Sequence, residues 1–251
     1  MNRRIATILL TVFCLLSSPG IRAESVLVAV AANFTGTARQ VADAFEQASG
    51  HDVKLVAGST GKHFAQIVNG APFDVLLAAD RERAERLEHE GRARPGSRFT
   101  YAIGRLALWR PATKPTATDE HMLGKGDFRH LALANPRLAP YGLAARQTLE
   151  HLGLWDRLQD RLVFGENVAQ AFRFVDSGAA ELGFVALAQL RRAGANATEW
   201  WAVPASHHAP IEQQAVLLSD APSAMAFLEF LRDEPARGII RAAGYGVPDV
   251  Y

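Results

Sequence analysis

Residues 25–61 read SVLVAVAANFTGTARQVADAFEQASGHDVKLVAGSTG, and the spacing of their apolar residues changes along the way. Ser25 to Ala31 is a short apolar, β-rich run of the kind buried on both faces of a sheet. From Thr37 to Ser49, Val41, Ala42, Phe45 and Ala48 fall on one side of a helix. Val53 to Ala57 is again a strand, and a helix is predicted from about Ser59 to Asn69. The alternation continues with Asp74 to Ala78 and a helix over Arg81 to Glu90. Strand and helix alternating in this way indicate α/β units, a mainly parallel sheet with helices on its faces.

The rhythm breaks at a long β-type run, Arg98 to Trp109, with Gly104 in its middle where a bend is tolerated. This run reads as a crossover between two lobes. The second lobe is expected to hold Leu131 to Ala134, a helix after Tyr141, Arg161 to Phe164, a helix from Val168, and Leu182 to Val185. A second β-type run, Ile211 to Leu218, returns the chain. Helices over Ser223 to Leu231 and Pro235 to Ala243 close it, the latter stopped by Gly244. Pro111 to Asp127 mixes Pro, Thr, Gly and charge without periodicity and reads as a loop. The expected division is 24–103 with 216–251 for the first lobe and 104–215 for the second, joined by two crossover strands.

Ahead of the first strand, Arg3 and Arg4 precede an apolar stretch from Ile5 through Leu16 and then Ser17-Ser18-Pro19-Gly20. That order is the one of a secretory signal, and the stretch is shorter than the roughly 20 residues a bilayer needs. Residues 1–23 are expected to be removed by cleavage after Ala23, which places the mature protein in the periplasm. Cys14 is the chain's one cysteine and falls in that leader. Phe13 before it does not suit a lipid-attachment signal, and the mature chain has no disulfide to make. The leader's removal leaves about 228 residues, enough for two lobes of ordinary size. A net charge of +1 gives no nucleic-acid footprint, and 49% apolar residues suit a packed core.

Small polar residues fall at four strand-to-helix junctions: Asn33, Gly58-Ser59-Thr60-Gly61, Pro140-Tyr141-Gly142 and Glu166-Asn167-Val168. In open α/β sheets these junctions gather at the carboxyl ends of the strands, where ligands bind. Each also starts a helix, whose first N–H groups lack intrahelical partners and whose dipole favours an anion. Ser, Thr and Asn are equally the best N-cap residues, so capping alone accounts for any single junction. An amino-acid site would call for an Arg with an acid, and Glu166 is the one acid present; a ferric site would call for clustered Tyr, and the four Tyr are scattered. Neutral donors at helix starts suit a fully ionised anion.

Other chemistry finds little support. Gly58 to Lys62 is not a phosphate loop, because Val56 replaces its first Gly and His63 the Ser or Thr after Lys. No Gly-x-Ser-x-Gly elbow activates Ser59, and no His is assignable as its base, so an α/β enzyme is the weaker reading. His207-His208 has two candidate metal ligands, but adjacent side chains in an extended segment point opposite ways.

The chain resembles the molybdate-binding periplasmic proteins over essentially the whole mature length. The resemblance is carried by Ala31-Ala32-Asn33-Phe34, Gly58-Ser59-Thr60-Gly61, Ile67-Val68-Asn69-Gly70-Ala71-Pro72-Phe73-Asp74-Val75, Ala78-Ala79-Asp80, Asn135-Pro136 with Ala139-Pro140-Tyr141-Gly142, and Gly183-Phe184-Val185-Ala186. It implies a two-lobed α/β periplasmic binding protein of type II that takes molybdate or tungstate, or as the alternative sulfate or phosphate, and passes it to the permease of an ABC transporter. It further implies a monomer that is not an enzyme, with no cofactor and no metal held as a cation. The ligand contacts it implies are Ala32, Asn33, Ser59, Thr60, Tyr141 and Val168, the last two through backbone N–H groups. Two positions depart from the family. Ala186 stands where some members place a Tyr hydroxyl, with Asn33 as the compensating donor, and Ala32 stands where a Ser or Thr is usual.

Overall fold

The computed structural model describes residues 24–111 and 118–248; the expected leader, Cys14 included, lies outside the described residues. In chain order the elements of the first half are β1 (Ser25–Ala31), α1 (Thr35–Ser49), β2 (Asp52–Gly58), α2 (Thr60–Val68), β3 (Val75–Leu77), α3 (Arg81–His89), β4 (Phe99–Gly104) and β5 (Leu106–Trp109). The second half adds α4 (His121–Lys125), β6 (Leu131–Ala134), α5 (Pro140–His151), α6 (Trp155–Leu158), β7 (Leu162–Gly165), α7 (Val168–Asp176), β8 (Leu182–Ala186), α8 (Leu187–Ala193), β9 (Trp200–Ala202), β10 (Ile211–Leu217), α9 (Pro222–Phe230) and α10 (Glu234–Ala242).

Two five-stranded sheets result, ordered β2-β1-β3-β10-β4 and β7-β6-β8-β5-β9. They follow one plan. Each has a strand second from one edge, β1 or β6, between two parallel neighbours, and then two antiparallel pairings made through β10 or β5. The apolar runs sit where such runs belong, since Val26, Val28, Ala29 and Val30 of β1 are all fully buried. On one face of the first sheet Phe45 of α1 meets Phe227 and Phe230 of α9 edge to face, at 5.2 and 5.6 Å between ring centroids. Truncating such a side chain typically costs about 3–5 kcal/mol. The second sheet carries its own core of Leu106, Leu108, Leu131, Leu133, Leu149 and Phe184.

The run from Arg98 to Trp109 crosses between sheets as its pattern predicts: β4 belongs to the first, β5 to the second, and Arg105 separates them. The return strand departs from the expected division. β10 pairs with β4 from Ile211 and with β3 through Leu217, so the boundary drawn at 215/216 cuts a strand that lies entirely in the first sheet. Its apolar run shows that a strand is present but not which sheet takes it. The loop expected over Pro111 to Asp127 contains the short helix α4, ended by Gly126 in the left-handed region at φ 73°. The sheets are also more mixed than the mainly parallel arrangement read from the sequence. Among the described residues no helix is long and apolar enough to cross a membrane.

Candidate anion-binding site

The carboxyl ends of β1, β2 and β3 open on one edge of the first sheet, and the helices that follow begin there. Ser59 caps α2, with its hydroxyl oxygen accepting from the Lys62 N–H at 3.4 Å and its carbonyl from the His63 N–H at 3.1 Å. Thr60 Oγ1 accepts from the Ala79 N–H at 2.9 Å, which ties the start of α2 to the end of β3. Both hydroxyls thus have an oxygen lone pair engaged by the backbone, and each keeps its proton to donate. Both are nearly inaccessible, Ser59 at 2% and Thr60 at 1% exposure. The backbone N–H groups of Asn33, Ser59 and Thr60 meet no acceptor among the described residues.

The second sheet contributes helix starts of a different kind. Pro140 opens α5, and its missing N–H leaves Tyr141 to present the first donor of that helix. Asn167 caps α7, and its Oδ1 accepts from Ala169 and Gln170 at 3.0 and 3.1 Å. The cap satisfies those two donors and passes over Val168, the first helical residue. Neither the Tyr141 nor the Val168 N–H has an acceptor among the described residues.

These groups surround one small cavity, about 10 Å³, lined by Ala31, Ala32, Asn33, Gly58, Ser59, Thr60, Ala79, Ala139, Pro140, Tyr141, Asn167 and Val168. That is below the roughly 300–1,000 Å³ of pockets for drug-sized ligands. No lining residue carries a formal charge. The positive ends of α2, α5 and α7, of 9, 12 and 9 residues, converge on it instead. The two sides are held together around it: Gly61 N–H donates to the Leu138 carbonyl at 2.9 Å, Arg83 Nη2 to the Arg137 carbonyl at 3.0 Å, and Lys62 Nζ pairs with Glu166 at 2.8 Å. Gly61 is required for this approach, because a Cβ there would sit 2.9 Å from the Leu138 oxygen.

All six residues singled out from the sequence line this cavity. Two of the donors expected of them are used elsewhere. The Ala32 N–H donates to the Gly58 carbonyl at 2.8 Å, continuing the pairing of β1 with β2. The Asn33 side chain faces away, its Nδ2 donating to Gln213 Oε1 at 2.7 Å and to the Tyr245 hydroxyl at 3.3 Å, so it is not the compensating side-chain donor.

Residues 26–246 match the family described as bacterial extracellular solute-binding protein. The chain belongs to that family. It is 47% identical over 232 residues to the molybdate-binding protein ModA of Azotobacter vinelandii, covering 90% of this chain and 91% of the relative. To ModA of Rhodobacter capsulatus it is 41% identical over 226 residues, covering 89% and 88%. The solved periplasmic molybdate-binding protein of A. vinelandii superposes with a TM-score of 0.85 at 44% identity, over 89% of this chain and 100% of that one. The α/β fold with two sheets and flanking helices is accordingly that of periplasmic binding proteins.

His63 lies under the α2 start, with Nε2 3.2 Å from the Val30 carbonyl and Nδ1 3.1 Å from Gln66 Oε1. Burial pushes its imidazole below the usual value, against the pull of those hydrogen bonds. The Tyr141 hydroxyl is buried without a hydrogen-bond partner, and burial raises its pKa well above that of a free phenol. His207 stacks on His151 at 4.2 Å rather than joining His208, and no group of three or more metal-ligating side chains occurs among the described residues. Ala79, noted in the sequence only within Ala78-Ala79-Asp80 and given no role at the site, works through its backbone, holding Thr60 in place.

Proposed function

We propose that this protein captures molybdate, and tungstate with it, in the cavity between its two lobes and delivers the anion to the permease of an ABC importer. The observation that carries this reading is that the cavity offers donors alone. The N–H groups of Asn33, Ser59, Thr60, Tyr141 and Val168 and the hydroxyls of Ser59 and Thr60 are available. The carbonyls of Ala32, Asn33, Gly58, Ala139 and Asn167 already accept hydrogen bonds. A fully ionised tetrahedral anion, all acceptors, is satisfied by such a shell. Hydrogenphosphate brings a proton that needs an acceptor, and a buried donor left without one is costly. On this reading sulfate is disfavoured by size, since a shell that closes on the longer bonds of a molybdate leaves donors that sulfate does not reach, and each unmet donor costs. Ala32 then lines the site without donating.

The strong likeness to molybdate-binding relatives over most of the chain supports the choice of anion. The same likeness supports an extracytoplasmic location, and we place the mature protein, from about Glu24, in the periplasm as a monomer. With the lobes divided at Arg105 and again just before Ile211, one lobe meets the anion first. Closure then adds the second set of donors and creates the surface that the permease reads. No nucleophile and base stand together at the cavity, so binding without turnover, and without cofactor or nucleic acid, is the proposed activity.

Isothermal titration of the anion-stripped mature protein with molybdate, tungstate, sulfate and phosphate tests this. One-to-one binding of the first two alone is expected. Equal binding of sulfate or phosphate overturns the anion assignment, and binding of none overturns the site.

A further inference from the structure

We propose that Gln213 and Tyr245 are positioning residues, which hold Asn33 so that its backbone N–H faces the anion while its side chain is kept out of the cavity. This rests on the anion-binding reading above. Asn33 sits in the turn between β1 and α1, where neither sheet nor helix pairing fixes its peptide. Its side-chain amide reaches Gln213 Oε1 at 2.7 Å and the Tyr245 hydroxyl at 3.3 Å, and that hydroxyl donates back to the Asn33 carbonyl at 2.8 Å. Both ends of the residue are thereby held from the side opposite the cavity. Tyr101 adds its hydroxyl to Gln213 Oε1 at 3.3 Å. The whole group is buried, Gln213 completely.

A purely structural account leaves one fact unexplained. Gln213 Nε2 is buried with no hydrogen-bond partner, a costly way to fill a core. An apolar side chain of the same length would avoid that cost, but it would surrender the oxygen that engages Asn33. Gln213 also stands where the pairing of β10 with β4 slips by one residue, which turns it toward Asn33 across 180 residues of sequence. Released from this hold, the peptide between Ala32 and Asn33 can turn its N–H away and bring the Ala32 carbonyl, which repels an anion and is otherwise engaged by the Thr35 hydroxyl at 3.2 Å, toward the cavity.

The test uses the full mature chain, with molybdate as the probe and thermal melting of the anion-free protein alongside. Gln213→Met keeps length and removes the oxygen. It is expected to raise the molybdate Kd about ten-fold, about 1.4 kcal/mol, with little change in anion-free Tm, because the unpartnered Nε2 goes with the oxygen and offsets the acceptor that Asn33 loses. Asn33→Ala is expected to do the same, and the double variant to bind no worse than Asn33→Ala alone, since one residue acts through the other. Tyr245→Phe keeps the ring and is expected to weaken binding several-fold. A Gln213→Met variant that folds and binds like the wild type overturns the inference, as do losses that multiply in the double variant. Should Gln213→Met not fold, Tyr245→Phe decides, and an unchanged Kd there overturns it. A wild type that binds no anion refutes the function proposed above instead.

Discussion

The two halves of the cavity reach the same end by different means. On the first sheet the donors come with side chains that also build the lobe: Thr60 anchors α2 to β3 through the Ala79 N–H, and Ser59 caps its own helix. On the second sheet the expected donors are bare backbone, Tyr141 and Val168, left over where a proline and an asparagine cap organise the first turns. Affinity and stability should therefore be coupled in the first half and separable in the second.

Thr60→Val gives the largest expected effect, because it acts on both. The anion loses a hydroxyl donor, a bond to a charged group worth about 1.5–3 kcal/mol, or roughly ten- to a hundred-fold in Kd. The Ala79 N–H also loses its acceptor in the interior, which costs about 1–3 kcal/mol of folding stability. Titration and thermal melting should both register the change. A variant that melts like the wild type would show that the first half is less entangled with the fold than its hydrogen bonds indicate.

Val168→Pro should separate the two properties. Proline is favoured at the first helical position, and Asn167 before it is extended, at φ −147° and ψ 172°, as a residue preceding proline prefers. The helix is preserved and one N–H is removed. Molybdate binding should weaken about ten-fold or more while Tm stays near the wild-type value. Unchanged affinity would remove Val168 from the donor shell.

This difference also governs what the sequence could reveal. The strand and helix alternation is written in apolar spacing, and Ser59 and Thr60 stand out as polar residues at a junction. Tyr141 and Val168 do not, because any residue other than proline offers the same N–H; the junction pattern marks their segments, and the family resemblance alone picked them out as contacts. The hold on Asn33 was less legible still. It depends on β10 lying beside β3 and β4, and sheet order is set by packing between segments far apart in the chain. The same cause hid which sheet takes β10, since an apolar run at Ile211 reads alike in either. The engagement of the Ala32 N–H follows from the register between β1 and β2, which no local pattern announces.

Acid should weaken the first half through His63. His63 lies buried beneath the α2 start, and burial holds its pKa below the 6.5 of an exposed imidazole. Above that pH both folded and unfolded chains carry a neutral ring, so the stability is fully present. As pH falls below about 6.5 the unfolded chain takes up a proton that the folded one resists, and stability is lost. His207, lowered first by burial and then by its neighbour His151, adds a contribution of the same sign in the second lobe. Tm should therefore fall between pH 7.5 and 5.5, and fall less in His63→Gln. An identical pH profile in that variant would assign the acid sensitivity to His207 alone.

Tyr141→Phe should have the smallest effect and draws the contrast most sharply. If the second half uses only its backbone, the side chain at 141 is free to lose its hydroxyl. That hydroxyl points toward Gly104, where a Cβ would collide with it, and it is buried without a partner. Removing it deletes an unsatisfied polar group and leaves the N–H at the start of α5 untouched. Molybdate Kd should stay within about two-fold of the wild type, and stability should hold or rise by up to about 1–3 kcal/mol, the usual cost of such a group. A clear loss of affinity would mean that the phenol supports the closed arrangement through the Gly104 crossover, and that side chains matter in both halves of the cavity.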